Sequence, residues 1–309
     1  MALENYLRQT SEQKFNQFMT SRIETNRTPA YWVDWQKVRK HVAKYRSKLT
    51  KLDCLVGSPN IVSKAKILFT KEPDLLTVVP LLLGTRNMQL SVLVNDPKNY
   101  QTYTLDFANP DLKQLDKYLD FIQQAGLFDM MANTIKEPLV NFAYGIEVGL
   151  DTNARKNRSG FQNETILADN LTLIKKEHPT WQVATQVSGA EVKTKWGITV
   201  PEQLDHKHKG GRIYDGAIYN PETNKVTIIE TNIYCSNGSK MKAVAGEFSN
   251  VFLYLKEHDT KKQVNYVWIT DGCGWNTAKN PLREAFNVIP NIFNLKMVKQ
   301  GYLTAVASK

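Results

Sequence analysis

Between residues 35 and 52, apolar side chains return at every third or fourth position: Trp35, Val38, Val42, Tyr45, Leu49 and Leu52. That spacing places them on one stripe of an α-helix, and it predicts a helix over the whole stretch. The other faces carry Lys37, Arg39, Lys40, Lys44, Arg46, Lys48 and Lys51. A solvated helix face accounts for such a run, and so does a surface laid along a phosphate backbone. Residues 1–30 are polar and read as a short helix followed by an irregular segment. Past Gly57 and Pro59, a second helix is expected over residues 61–70, with Pro73 ending it. Residues 75–83 (LLTVVPLLL) are densely apolar but about half as long as a bilayer span, so they belong in a core. Residues 91–94 and 102–107 alternate like short strands. Leu112, Leu115, Leu119 and Ile122 then restore helical spacing up to Gly126.

From Pro138 the pattern changes. A helix over residues 139–148 is expected to run into a polar, basic, glycine-bounded loop, GLDTNARKNRSG (residues 149–160). Ser159 and Gln162 stand at capping-box spacing and predict a helix from about 160 to 176. A strand over 181–188 precedes a long irregular insertion (189–210) containing Trp196, Pro201, His206 and His208. The two histidines lack a third ligand type nearby, so a basic loop is the expectation. Residues 211–232 read as two strands around an Asn-Pro-Glu-Thr-Asn turn. Ser236-Asn237-Gly238-Ser239 suits the start of a helix reaching about residue 258. A strand over 264–270, a helix over 281–287 and a strand over 289–295 complete the pattern. The expected division is a mainly helical lobe (1–137) and a second domain (138–309).

Composition narrows the class. Of 309 residues, 42% are hydrophobic and 23% charged, which suits a globular chain and not a disordered one. There is no apolar run of spanning length and no apolar centre near the start, so neither a membrane span nor a signal peptide is expected. Cys54, Cys235 and Cys273 are far apart without CxxC spacing, which suggests neither a disulfide framework nor a zinc site and points to the cytoplasm. A formal net charge of +10 suits a polyanionic partner.

The turn in residues 211–232 brings chemistry with it. If Asn220 pairs with Lys225, counting back along the ladder sets Asp215 opposite Glu230, and Asn232 shares their face. Like charges across a sheet repel. A hard divalent cation such as Mg²⁺, which takes one or two protein carboxylates, would neutralise them; a hairpin with one acid per strand facing solvent is the plainer alternative. In residues 149–160, Arg155, Lys156 and Arg158 lie among Asn153 and Asn157. Amides can read adenine, guanidinium groups can read guanine, and either can hold phosphate. An ordinary surface loop has the same composition.

The order from residue 160 onward (helix, three strands, helix, strand), with Glu164 on the first helix and Asp215 and Glu230 on the second and third strands, resembles the PD-(D/E)XK nuclease core, an α/β (α+β) fold. The resemblance implies metal-dependent phosphodiester hydrolysis, with Asp215 and Glu230 as metal ligands and Glu164 as an auxiliary acid. The usual third motif reads Glu-x-Lys, whereas this chain has Glu230-Thr231-Asn232. Lys240 is the nearest replacement for the lysine, and Asn232 can orient water. More closely, GIEVGLDTNARKNRSG (145–160), IETNIY (229–234) with GSK (238–240), and WITDGCGW (268–275) resemble the DpnII/MboI-type restriction endonucleases. That family implies Mg²⁺, double-stranded DNA, the target GATC cut 5′ of the guanine, and a homodimer to match a palindrome. The DNA-binding candidates are then Asn153, Arg155, Lys156, Asn157, Arg158, Ser159 and Ser239. A PD-(D/E)XK nuclease of other specificity, acting in repair or on DNA structure, and a non-catalytic DNA-binding protein are the alternatives.

Overall fold

A computed structural model describes residues 2–94, 101–202, 211–236 and 240–309. The chain divides into two compact units, Pro29–Lys156 and Met1–Thr28 with Asn157–Lys309.

The Pro29–Lys156 unit is mostly helical. The predicted helix is Trp35–Leu52, N-capped by Asp34, whose carboxylate accepts the Lys37 N–H at 2.9 Å; Val38, Val42, Leu49 and Leu52 are buried. Ile61–Lys71 and Leu115–Gln124 pack into the same core, together with Leu75, Leu76, Val78, Val79, Leu81 and Leu82 of the dense apolar run. Strands β1 (Gln89–Val94) and β2 (Gln101–Asp106) form an antiparallel pair. The Leu139–Thr152 helix buries two acids, Glu147 and Asp151, each held by a more exposed partner. Glu147 accepts from Arg86 at 2.6 Å and lies 3.2 Å from His41, and Asp151 accepts the Asp34 N–H at 3.0 Å.

The other unit is built on a five-stranded sheet ordered β3 (Gln182–Ser188), β4 (Ile213–Asn220), β5 (Lys225–Ile233), β6 (Val264–Asp271) and β7 (Ile292–Phe293). β3, β4 and β5 are antiparallel neighbours, whereas β5, β6 and β7 run parallel. Asn220 pairs with Lys225, as the turn predicts. Val226, Ile228 and Ile229 are fully buried, because the sheet is covered on both faces. The Lys240–His258 helix supplies the crossover that a parallel β5–β6 pair requires. On the Arg155–Glu177 helix, Leu167 and Leu171 press on Gly216, where an added Cβ would lie 3.1 Å from each. Glycine in mid-strand is what lets helix and sheet approach so closely.

Several expectations are corrected. Met1–Thr28 does not group with the residues up to 137: helices Ala2–Leu7 and Ser11–Ser21 insert Tyr6, Phe15 and Phe18 into the core of the sheet unit. The boundary near Pro138 therefore differs from the observed division. Residues 149–160 are not a loop. Leu139–Thr152 and Arg155–Glu177 leave only a two-residue turn at Asn153 and Ala154, since Gly149 and Gly160 sit within helices. Ser159 accordingly caps nothing; its carbonyl and hydroxyl both take contacts from the Asn26 amide. The irregular insertion begins instead with a helix, Gly189–Trp196, closed at its N-terminus by a Ser188/Glu191 capping box. Two short helices, Leu295–Lys299 and Tyr302–Ala307, follow β7 unannounced. His206, His208 and Ser239 lie outside the described residues. No described helix is long and apolar enough to cross a membrane.

Candidate active site

β4 and β5 carry Asp215 and Glu230 to neighbouring positions, continuing the ladder that pairs Gly216 with Ile229. Asp215 is fixed from two sides. The Thr231 N–H donates to its Oδ2 at 2.8 Å, and Gln186 Nε2 donates to its Oδ1 at 3.2 Å. Gln186 reaches it from β3 with a left-handed backbone, φ 48°. Burial raises the Asp215 pKa above the ordinary carboxylate value, against the opposing pull of those hydrogen bonds and of Arg212. Burial acts more strongly on Glu230, with repulsion from Asp215 adding to it, and pushes that pKa up to about 7 in spite of Arg212.

Arg212, just ahead of β4, is the cation that answers the repulsion. Its Nε donates to Glu230 Oε1 at 2.5 Å, its Nη1 donates to Glu247 Oε1 at 2.7 Å, and its plane lies 5.3 Å from the Phe248 ring centroid. Burial lowers its pKa, but the two glutamates outweigh that and raise it. One guanidinium against Asp215, Glu230 and Glu247 leaves the cluster negative when all are ionised. Close by, the Tyr266 hydroxyl is buried and makes no hydrogen bond to a described residue.

These features fit a hard divalent cation. The two facing carboxylates are oxygen donors of the type and number that Mg²⁺ takes from a protein, with water and phosphate completing the shell. Among the described residues, no three His, Cys, Asp or Glu side chains converge as a ligand set. Glu164 in particular is exposed on the Arg155–Glu177 helix, one turn before buried Leu167, and no hydrogen bond or ion pair joins it to either acid.

The remaining candidates are distributed as follows. Asn232 shares the face of Glu230, and its amide is bonded to Trp268 and Thr270 of β6. Lys240 opens the Lys240–His258 helix and is exposed. Asn153 lies in the turn and Asn157 is exposed on the following helix. Arg155 donates from Nε to the Trp32 carbonyl at 3.1 Å and lies 5.4 Å from that indole's centroid. Arg212, Gln186 and Thr270 are site-lining residues the sequence did not single out.

The family model for the DpnII restriction endonuclease matches residues 14–305. The type II restriction enzyme LlaDCHI of Lactococcus lactis subsp. cremoris is 40% identical over 100% of this chain and 99% of its own length. The type II restriction enzyme MboI of Moraxella bovis is 34% identical over 91% of this chain and 92% of its own. The type II restriction enzyme DpnII of Streptococcus pneumoniae is 29% identical over 94% and 96%. No solved structure matches.

Proposed function

Because the chain belongs to the DpnII restriction endonuclease family and is a type II site-specific endonuclease, we propose that it hydrolyses double-stranded DNA at GATC, 5′ of the guanine on both strands, with Mg²⁺. The observation that carries the chemistry is the pair Asp215 and Glu230, face to face on β4 and β5 with both pKa values raised. These two residues would hold the cation, which when bound neutralises charge on the phosphodiester and lowers the pKa of water. Asp215 is held ready by the Thr231 N–H and Gln186, so its carboxylate needs no reorganisation. The target GATC is the one the sequence resemblance implies, and a palindrome is matched most simply by a two-fold homodimer. The Pro29–Lys156 unit is assigned to DNA binding or dimerisation; exposed Arg39, Lys40 and Lys44 on its Trp35–Leu52 helix suit a phosphate backbone.

The test is incubation with plasmid and Mg²⁺, followed by mapping of the fragment ends. Discrete fragments opening with GATC support the reading. Nicks, a smear or intact plasmid would transfer it to another nuclease specificity or to binding alone.

Arg155, Lys156 and Arg158 are assigned to DNA contact. Alanine at a phosphate-contacting position should weaken all sequences alike and flatten the salt dependence by about one unit of slope. Alanine at a base-contacting position should cost about 1–3 kcal/mol at one position of the site. Unchanged binding in the triple alanine variant, measured by salt titration, would remove these residues from the interface.

A further inference from the structure

Of the segments shared with the restriction enzymes, WITDGCGW has no part in the carboxylate pair, yet two of its side chains converge on one atom and a third holds one of the two. In the parallel β5–β6 ladder, Glu230 pairs with Trp268 and Asn232 with Thr270. Asn232 Oδ1 accepts from Trp268 Nε1 at 3.2 Å and from Thr270 Oγ1 at 2.8 Å. Thr270 Oγ1 in turn accepts from Trp275 Nε1 at 2.9 Å. Trp268, Thr270 and Trp275 are all fully buried. Two glycines admit the second indole: a Cβ on Gly272 would lie 2.2 Å from the Tyr234 carbonyl oxygen, and one on Gly274 would lie 2.7 Å from that of Ser236.

The chemistry of the donors decides the orientation of the amide. An indole N–H can only donate, so the Asn232 atom facing Trp268 must be the oxygen. The Thr270 oxygen receives the Trp275 N–H, which leaves its single proton for the same Asn232 oxygen. With Oδ1 occupied by two donors, the NH₂ group is the end of the amide left for the site. No described residue accepts from it.

We propose that Trp268, Thr270 and Trp275 are positioning residues that lock the Asn232 amide with its NH₂ turned into the site beside Glu230, where it donates to an oxygen of the scissile phosphodiester. A neutral, directed donor thereby stands at the position where related nucleases carry a lysine. This rests on the reading that the Asp215–Glu230 face is the cleavage site. Fixed donors aimed at developing negative charge are effective because they need no reorganisation. Free rotation of the amide would present its oxygen to the phosphate half the time and lose that advantage.

The experiment compares Thr270→Val, Thr270→Ser and Asn232→Asp with wild type and Asp215→Ala, in single-turnover cleavage of GATC duplex with Mg²⁺ and in metal-free DNA binding. Thr270→Val keeps the shape but removes both bonds, and is expected to slow cleavage about tenfold or more with DNA affinity within about threefold. Thr270→Ser restores the hydroxyl and should return the rate to within about threefold of wild type. Asn232→Asp keeps the accepting oxygen but replaces the donor by an anion, and should slow cleavage about 10²-fold or more. In the metal-free protein, the Asn232 side-chain amide signal, identified by its loss in Asn232→Asp, should move in Thr270→Val and return in Thr270→Ser. Wild-type rates in both Thr270→Val and Asn232→Asp, with Asp215→Ala inactive, would overturn the proposal while leaving the site in place. Equal slowing by valine and serine would also overturn it. An active Asp215→Ala would instead overturn the assignment of the cleavage site.

Discussion

Asp215→Ala is expected to lower single-turnover cleavage of GATC duplex by about 10³-fold or more, with DNA binding kept within a few fold, because a metal contributes several kcal/mol of transition-state charge stabilisation. Glu230→Ala should behave in the same way. Asp215 projects from a central strand, where its carboxylate accepts from Gln186 and the Thr231 N–H, so the sheet is expected to survive its loss. Glu230 also gives the reaction a pH dependence of definite sign. Its pKa stands near 7, so the protonated form predominates below that value. A metal ligand must be deprotonated, and cation affinity should therefore rise as pH increases through about 7, with proton release on binding. Wild-type cleavage by Asp215→Ala, or affinity for Mg²⁺ independent of pH from 6 to 8, would remove the carboxylate pair from the mechanism.

Lys240→Ala is expected to cost about 10²-fold in the single-turnover rate at saturating protein, the usual effect of losing one well-placed electrostatic contact. Lys240 opens its helix, where the backbone N–H groups already favour phosphate and an added cation is slightly unfavourable to the helix itself. A cation placed against that preference has a ready use in holding an anion. Arg212 is committed elsewhere, with its Nε on Glu230 and its Nη1 on Glu247. A rate within about threefold of wild type would return Lys240 to solvent and leave the Asn232 amide and the metal as the groups acting on the phosphate.

What could be read from the chain was local. The Trp35–Leu52 helix follows from a three-to-four spacing, and the Asp215–Glu230 pairing follows from one turn and a period of two. Arg212 was within reach of the same reasoning, since facing acids require a cation and it stands three residues before Asp215. Ser188 and Glu191 stand at capping-box spacing, but the signal lies behind a glycine that looks like a break. Glycines and charges likewise gave residues 149–160 the look of a loop, although nothing in Arg, Lys, Asn or Ser forbids a helix there. The Asn232 relay and the placement of the first 28 residues were not legible, because they depend on contacts between distant segments: Asn232 with Thr270, and the Tyr6 hydroxyl with the Ile292 carbonyl at 2.8 Å. Periodicity carries no information about such pairs.

That last contact bears on when the enzyme comes into being. Tyr6 packs on Phe293 and Tyr302, and Phe15 and Phe18 pack on Phe286. Domains fold as units during synthesis, N-terminal segments first. Here the earliest helices must wait for residues 286–302 before their aromatic side chains find a core, while the Pro29–Lys156 unit has every partner it needs much sooner. The aromatic core beside the sheet is therefore expected to be completed only after residues 286–302 have been made. A chain that stops short of residue 286 lacks the aromatic partners of Tyr6, Phe15 and Phe18, and its sheet unit is expected not to reach a stable fold.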